Sequence, residues 1–164
     1  MSPRAAWRLE SLGFTEVYDY AGGKEDWLAW GLPREGRAAQ TPTVGEVARR
    51  DVPTCGLADR VADAQARAQA AGFAACVVVN ERRVVLGLLR SRELGADPAA
   101  TAEQVMQAGP TTYRLDVPAR EAGARMRQRG VDALPVTTPD GELVGLLRRE
   151  DAEGAKRAEG AATG

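Results

Sequence analysis

Two octets, GLLRSREL (Gly87 to Leu94) and GLLRREDA (Gly145 to Ala152), each set an arginine and, three residues on, a carboxylate at the end of an apolar run. The pairs are Arg90 with Glu93 and Arg148 with Asp151. An arginine in this place can bind phosphate bidentately, fill the entrance of a pocket, or pair with a neighbouring acid such as Glu150. A carboxylate at the start of a helix can complement the helix dipole. Other chemistry is scarce. The chain has no histidine, which removes the commonest general base, metal ligand and pH switch. Its two cysteines, Cys55 and Cys76, form no CxxC pair, so neither a zinc site nor a disulfide framework is expected. Both lie in strand-like apolar runs and read as inert packing residues.

Composition narrows the class further. With 44% hydrophobic and 27% charged residues the 164-residue chain reads as a folded globular protein, one ordinary domain or two very small ones. A net charge of −1 gives no basic field for nucleic acid and no polybasic face for a membrane. No apolar run approaches the length of a membrane span. The opening MSPRAAWRLE lacks the apolar stretch of a signal peptide, and a cytoplasmic protein is expected.

The elements that must position the two octets repeat with them. At the offset of 58 positions that carries Gly87 onto Gly145, Thr43 meets Thr101, Val47 meets Val105, Thr54 meets Thr112 and Gly72 meets Gly130, with no gap from Thr43 to Asp151. Each copy opens with a short helix under a threonine cap. A short extended stretch follows (VPTC, PTTY), then a longer helix ending at glycine, then two β-branched runs with a turn between them, then a charged helix. On the longer helices Val61, Ala64 and Ala68, matched by Ala119, Ala122 and Met126, mark the core face. Such an α-β-α-β-β-α unit cannot bury its own sheet well. Two copies packed sheet to sheet about a pseudo-two-fold axis can. The fold class expected is therefore mixed α/β (α+β), with units at 43–95 and 101–156 and a flexible tail at 157–164.

The order VGEV, VPT, helix, glycine, VVV, VLGLLRSREL resembles a CBS domain, and the second copy, through ALPVTTPDGELVGLL, resembles it more closely. The tandem pair is similar to a Bateman module. The resemblance implies that Asp151 holds a ribose, that Arg148 stands in the position the family gives to a phosphate-binding Thr or Ser, and that Ala133, Leu134 and Pro135 wall an adenine beside Thr112 and Tyr113. Tyr113 serves either as a strand residue or as a stacking platform. The first copy is the weaker site: Glu93 replaces the aspartate, Arg90 again replaces the hydroxyl residue, Cys76 stands where Leu134 does, and Thr54 and Cys55 line the strand. The ligands implied are AMP, ADP, ATP or S-adenosylmethionine, with no cofactor required and no metal. A non-catalytic sensor that forms a homodimer and acts on a protein partner follows, and a ligand-free dimerisation module is the alternative.

Residues 1–37 do not repeat. A helix from about Pro3 to Leu12, a strand TEVYDY, GG and a helix around Trp27 resemble the C-terminal end of a rhodanese domain. That family's persulfide cysteine lies in a loop before the first matched helix, where this sequence has none, so no rhodanese activity is expected. A sulfurtransferase whose catalytic loop lies upstream is the competing reading. Trp7, Trp27 and Trp30 all fall in this segment and need a partner surface, within the chain or across a dimer.

Overall fold

The computed structural model describes residues 3–18, 22–36, 39 and 41–155. The segment before the repeat forms α1 (Pro3–Ser11) and α2 (Gly23–Ala29). The expected strand TEVYDY is corrected over its described part: Thr15 to Tyr18 is irregular. A strand needs a neighbour to take its N–H and C=O groups, and no sheet edge meets this stretch among the described residues. Asp19 and Tyr20 lie outside the described residues, as does the segment 156–164 with the expected tail.

The first repeat supplies α3 (Val44–Val47), β1 (Thr54–Cys55), α4 (Val61–Ala70), β2 (Ala75–Val79), β3 (Val85–Arg90) and α5 (Ser91–Leu94). The second supplies α6 (Ala102–Val105), β4 (Gln107–Ala108), β5 (Tyr113–Arg114), α7 (Ala119–Gln128), β6 (Ala133–Thr137), β7 (Leu143–Arg148) and α8 (Arg149–Gly154). One sheet runs β1-β2-β3-β4 and the other β5-β6-β7. In both, a parallel strand joins an antiparallel hairpin, and the two hairpins have equivalent registers: Cys76 opposes Leu89, and Leu134 opposes Leu147.

Local chemistry explains the elements. Thr43 starts α3 with a capping box, its N–H 2.7 Å from the Glu46 carboxylate, and Thr101 uses Gln104 in the same way at 3.0 Å. The longer helices end at Gly72 and Gly130, whose φ of 68° and 64° only glycine adopts without strain. Val61, Ala64 and Ala68, and likewise Ala119, Ala122 and Met126, are buried as their spacing predicts.

The opening helices are exchanged. α3, from the first repeat, packs against the second: the Val44 N–H donates to the Val117 carbonyl at 2.8 Å, and that of Gly45 to Leu115 at 2.9 Å. α6 does the reverse, with Ala102 donating to Asp59 at 2.8 Å and Glu103 to Leu57 at 3.1 Å. These bonds are related by the 58-position offset, so the exchange itself obeys the two-fold. On the axis, the Val85 N–H donates to the Gly141 carbonyl and the Leu143 N–H to the Arg83 carbonyl, flanking the Val84–Glu142 bridge. Three apolar clusters result. Two lie between a sheet and its helices, and the third, with Ala75, Val77, Leu88, Leu143 and Leu146, seals sheet against sheet.

The exchange crowds the glycine of both octets, unequally. A Cβ on Gly145 would lie 2.5 Å from the Arg49 carbonyl oxygen, a backbone atom, whereas one on Gly87 would meet the Met106 side chain. Methionine can rotate away and backbone cannot. Gly145→Ala is therefore expected to cost about 1–3 kcal/mol in urea unfolding, and Gly87→Ala less; equal costs contradict this packing.

Candidate functional site

The two octets bring β3 into α5 and β7 into α8, and the axis sets these joints face to face. Between them lies a cleft of about 480 Å³, walled on one side by 72–75 and 90–92 and on the other by 130–133, Leu146 and 148–150. Its floor is apolar, through Phe73, Ala75, Ala133 and Leu146, and Arg90 and Arg148 line opposite walls. The sequence places them as equivalents, and the structure gives them different surroundings. Arg148 lies 4.3 Å over the Phe73 ring and donates to the Gly72 carbonyl at 2.6 Å, an acceptor at the C-terminal end of α4. It also reaches Glu150 at 3.4 Å. Val131 stands where Phe73 does, so Arg90 has no ring to lie on, and it makes no ion pair among the described residues. Arg149 pairs with Asp132 at 2.8 Å beside the same cleft.

Asp151 follows Glu150 in the first turn of α8 and is not itself among the residues that line this cleft. Its carboxylate is chelated by Arg49, Nε to Oδ2 at 2.9 Å and Nη2 to Oδ1 at 3.2 Å. Arg49 belongs to the exchanged segment, and its N–H and C=O both bond Leu146. The guanidinium holds the Asp151 carboxyl below the usual carboxylate range, by hydrogen bonding first, against a smaller opposing effect of burial. Glu93 does something else: its extra methylene lets Oε2 reach back to the Arg90 N–H at 3.0 Å, capping its own helix. At the position equivalent to Arg49 the first unit has Gln107.

The other expected site residues separate. Ala133 lines the cleft, and Ala133 and Pro135 alternate with Leu134, which belongs to the core under α7. Tyr113 is buried in that core, with its hydroxyl donating to the Ala122 carbonyl at 3.3 Å, so it does not present a stacking face. Thr112 is exposed, with its hydroxyl 3.4 Å from that of Thr137. In the first unit, Thr54 offers its carbonyl to Arg67, while Cys55 and Cys76 are buried together beneath α4. Hydrogen bonding with Cys55 and burial push the Cys76 thiol up. Arg49, Gly72 and Phe73 were not among the expected site residues. Arg49 escapes sequence reading because it meets Asp151 only through the exchange, 102 positions away. Among the described residues no cluster of acids and cysteines is placed to hold a metal ion, and no helix is long and apolar enough to cross a membrane.

Known proteins share this architecture. The CBS domain family model matches residues 102–155. An uncharacterised protein of Methanopyrus kandleri is 29% identical over 117 residues, 66% of this chain and 60% of the relative. One of Bacillus subtilis is 32% identical over 75 residues, 45% of this chain and 17% of that protein. The chain thus spans less than two thirds of these relatives' length. Among solved structures, the CBS domains of a transcriptional regulator from Streptococcus pneumoniae superpose with a TM-score of 0.63 at 22% identity, covering 69% of this chain and 98% of that one. A CBS domain pair in complex with 5′-methylthioadenosine and S-adenosyl-L-methionine gives 0.61 at 18%, covering 68% and 92%. A CBS protein in complex with AMP gives 0.62 at 19%, covering 68% and 93%. The mixed α/β fold with its two sheets is that of a CBS domain pair.

The Arg49–Asp151 contact carries a pH signature. The folded-state pKa of Asp151 lies below the unfolded value of about 3.9. The contact's stabilisation is therefore present above about pH 4 and lost as pH falls through the folded value. The melting-temperature gap between the parent and Asp151→Asn should be constant near neutrality and close in acid. A gap that is unchanged well below the unfolded pKa contradicts the pairing.

Proposed function

We propose that this chain, folded as a CBS domain pair, is a non-catalytic sensor that takes an adenine nucleotide or adenosyl ligand at the inter-unit cleft and acts through a partner protein. The observation that carries the reading is the cleft itself: it gathers both strand-to-helix joints, an apolar floor and arginines on opposite walls, and Asp151 is next in the chain to its lining residue Glu150. The floor suits a planar base, and Arg90 and Arg148 suit an anionic group. Asp151 suits a ribose diol once Arg49 releases it. Support also comes from the solved CBS relatives in complex with AMP and with S-adenosyl-L-methionine. Departure of Arg49 would loosen the exchanged segment from β7, biasing how the units pack, and a homodimer would pass that bias to its partner. The sulfurtransferase reading draws on residues 1–37 alone, and the irregular Thr15–Tyr18 removes one of the elements it used.

Calorimetric titration with AMP, ADP, ATP and S-adenosylmethionine tests the proposal. At least one should bind saturably, and Asp151→Ala should weaken it about tenfold or more. Arg49→Ala, by freeing the carboxylate, should strengthen adenosine. Silence with all four ligands sinks the sensor reading and leaves a ligand-free dimerisation module, while unaltered affinity in Asp151→Ala moves the site away from this joint.

A further inference from the structure

A second cavity, also of about 480 Å³, lies on the outer face of the second unit and is roofed by the segment that precedes the repeat. The roof is fixed to the unit beneath. Gly31 lies against Leu115, so close that a Cβ there would be 3.2 Å from its side chain. Arg34 donates to the Thr41 carbonyl at 3.2 Å and pairs with Glu46 of α3 at 3.3 Å, while within the roof Trp27 donates to the Pro33 carbonyl at 2.9 Å. The lining is apolar through Leu28, Trp30, Leu32, Leu115 and Val144.

Two charged groups in it lack counter-ions. Asp116 is half-buried, and its Oδ1 is fully buried without a hydrogen-bond partner among the described residues. It does not cap the following helix, whose first turn takes the Pro42 carbonyl and no side chain. A half-buried carboxylate with one oxygen sealed from solvent and no counter-ion is costly, so its accessible oxygen, Oδ2, calls for a donor. At the rim, the Arg50 guanidinium donates only to the Gly45 carbonyl, at 3.5 Å, and has no carboxylate partner among the described residues. The other charged pair lining the cavity, Arg34 and Glu46, is mutually satisfied.

None of this belongs to the duplicated scaffold. The first unit has Ala58 where the second has Asp116, and Ala108 where it has Arg50. The roof covers only the second unit. A carboxylate, a guanidinium and an aromatic roof thus converge on one cavity, each without a counterpart across the axis.

We infer that this cavity binds a free α-amino acid with an apolar side chain. Its ammonium group meets Asp116, its carboxylate meets Arg50, and its side chain lies among Trp30, Leu115 and Val144. The zwitterion supplies both missing counter-ions while adding no net charge to the cavity. The site is separate from the inter-unit cleft and does not depend on what that cleft binds.

Trp30 lines the cavity, so tryptophan emission reports occupancy. Titration of the full chain with leucine, methionine and phenylalanine should give a saturable change for at least one of them. Isocaproate, which lacks the ammonium, and isopentylamine, which lacks the carboxylate, should each bind about tenfold or more weakly than leucine. Asp116→Asn and Arg50→Gln should each weaken the amino acid to a similar degree. Arg50 is exposed, so its variant keeps the test valid if Asp116→Asn unfolds. No change with any apolar amino acid up to about 10 mM overturns the inference. So does a higher melting temperature for Asp116→Asn with amino acid response intact, which marks Asp116 as a merely unpaired acid.

Discussion

The fold rests on the exchange of two four-residue helices across a local two-fold axis. Helices this short have almost no stability of their own. They persist because their first N–H groups, which a helix cannot satisfy internally, donate to carbonyls of the opposite repeat. Neither unit is complete without a piece of the other, and the sheet-to-sheet seam through Leu88 and Leu146 is sealed by the same arrangement. The axis then forces the two strand-to-helix joints together, so a pair of like-charged arginines ends up in one cleft. Arg148 is compensated by a ring and a helix-end carbonyl.

Duplication supplies the scaffold, and a few substitutions separate its halves. One methylene turns the carboxylate of the first joint back onto its own helix, while the shorter Asp151 stays forward and is met by Arg49. Phe73 has no aromatic equivalent, and the roof segment lies over one unit only. Both the chelated Asp151 and the unpaired Asp116 oxygen therefore fall in the second unit.

Much of this was legible in the residues. The gapless repeat carried the order of elements, the paired helices, their glycine ends and the hairpins, because each follows from local pattern, whereas the parallel edge strands and β4 were not read from it. The core role of Cys55 and Cys76 followed from apolar context, as burial bears out. What was hidden is non-local. Nothing near Thr43 announces that its helix belongs to the opposite repeat, so the Arg49–Asp151 chelate was hidden too. Tyr113 left two readings open, and only the position of Ala122 on the neighbouring helix decides for the core. TEVYDY has strand-like residues, but a strand exists only beside another strand.

The most direct test of ligand sensing at the paired joints is a two-dimensional NMR titration of the full chain with AMP and with S-adenosylmethionine, following backbone amides and the Arg49 Nε–H. The account predicts saturable shifts clustered at 90–93 and 148–151, together with a change at Arg49 Nε–H as it leaves Asp151. Shifts that avoid both joints, or an Arg49 signal that stays fixed at saturation, would contradict it.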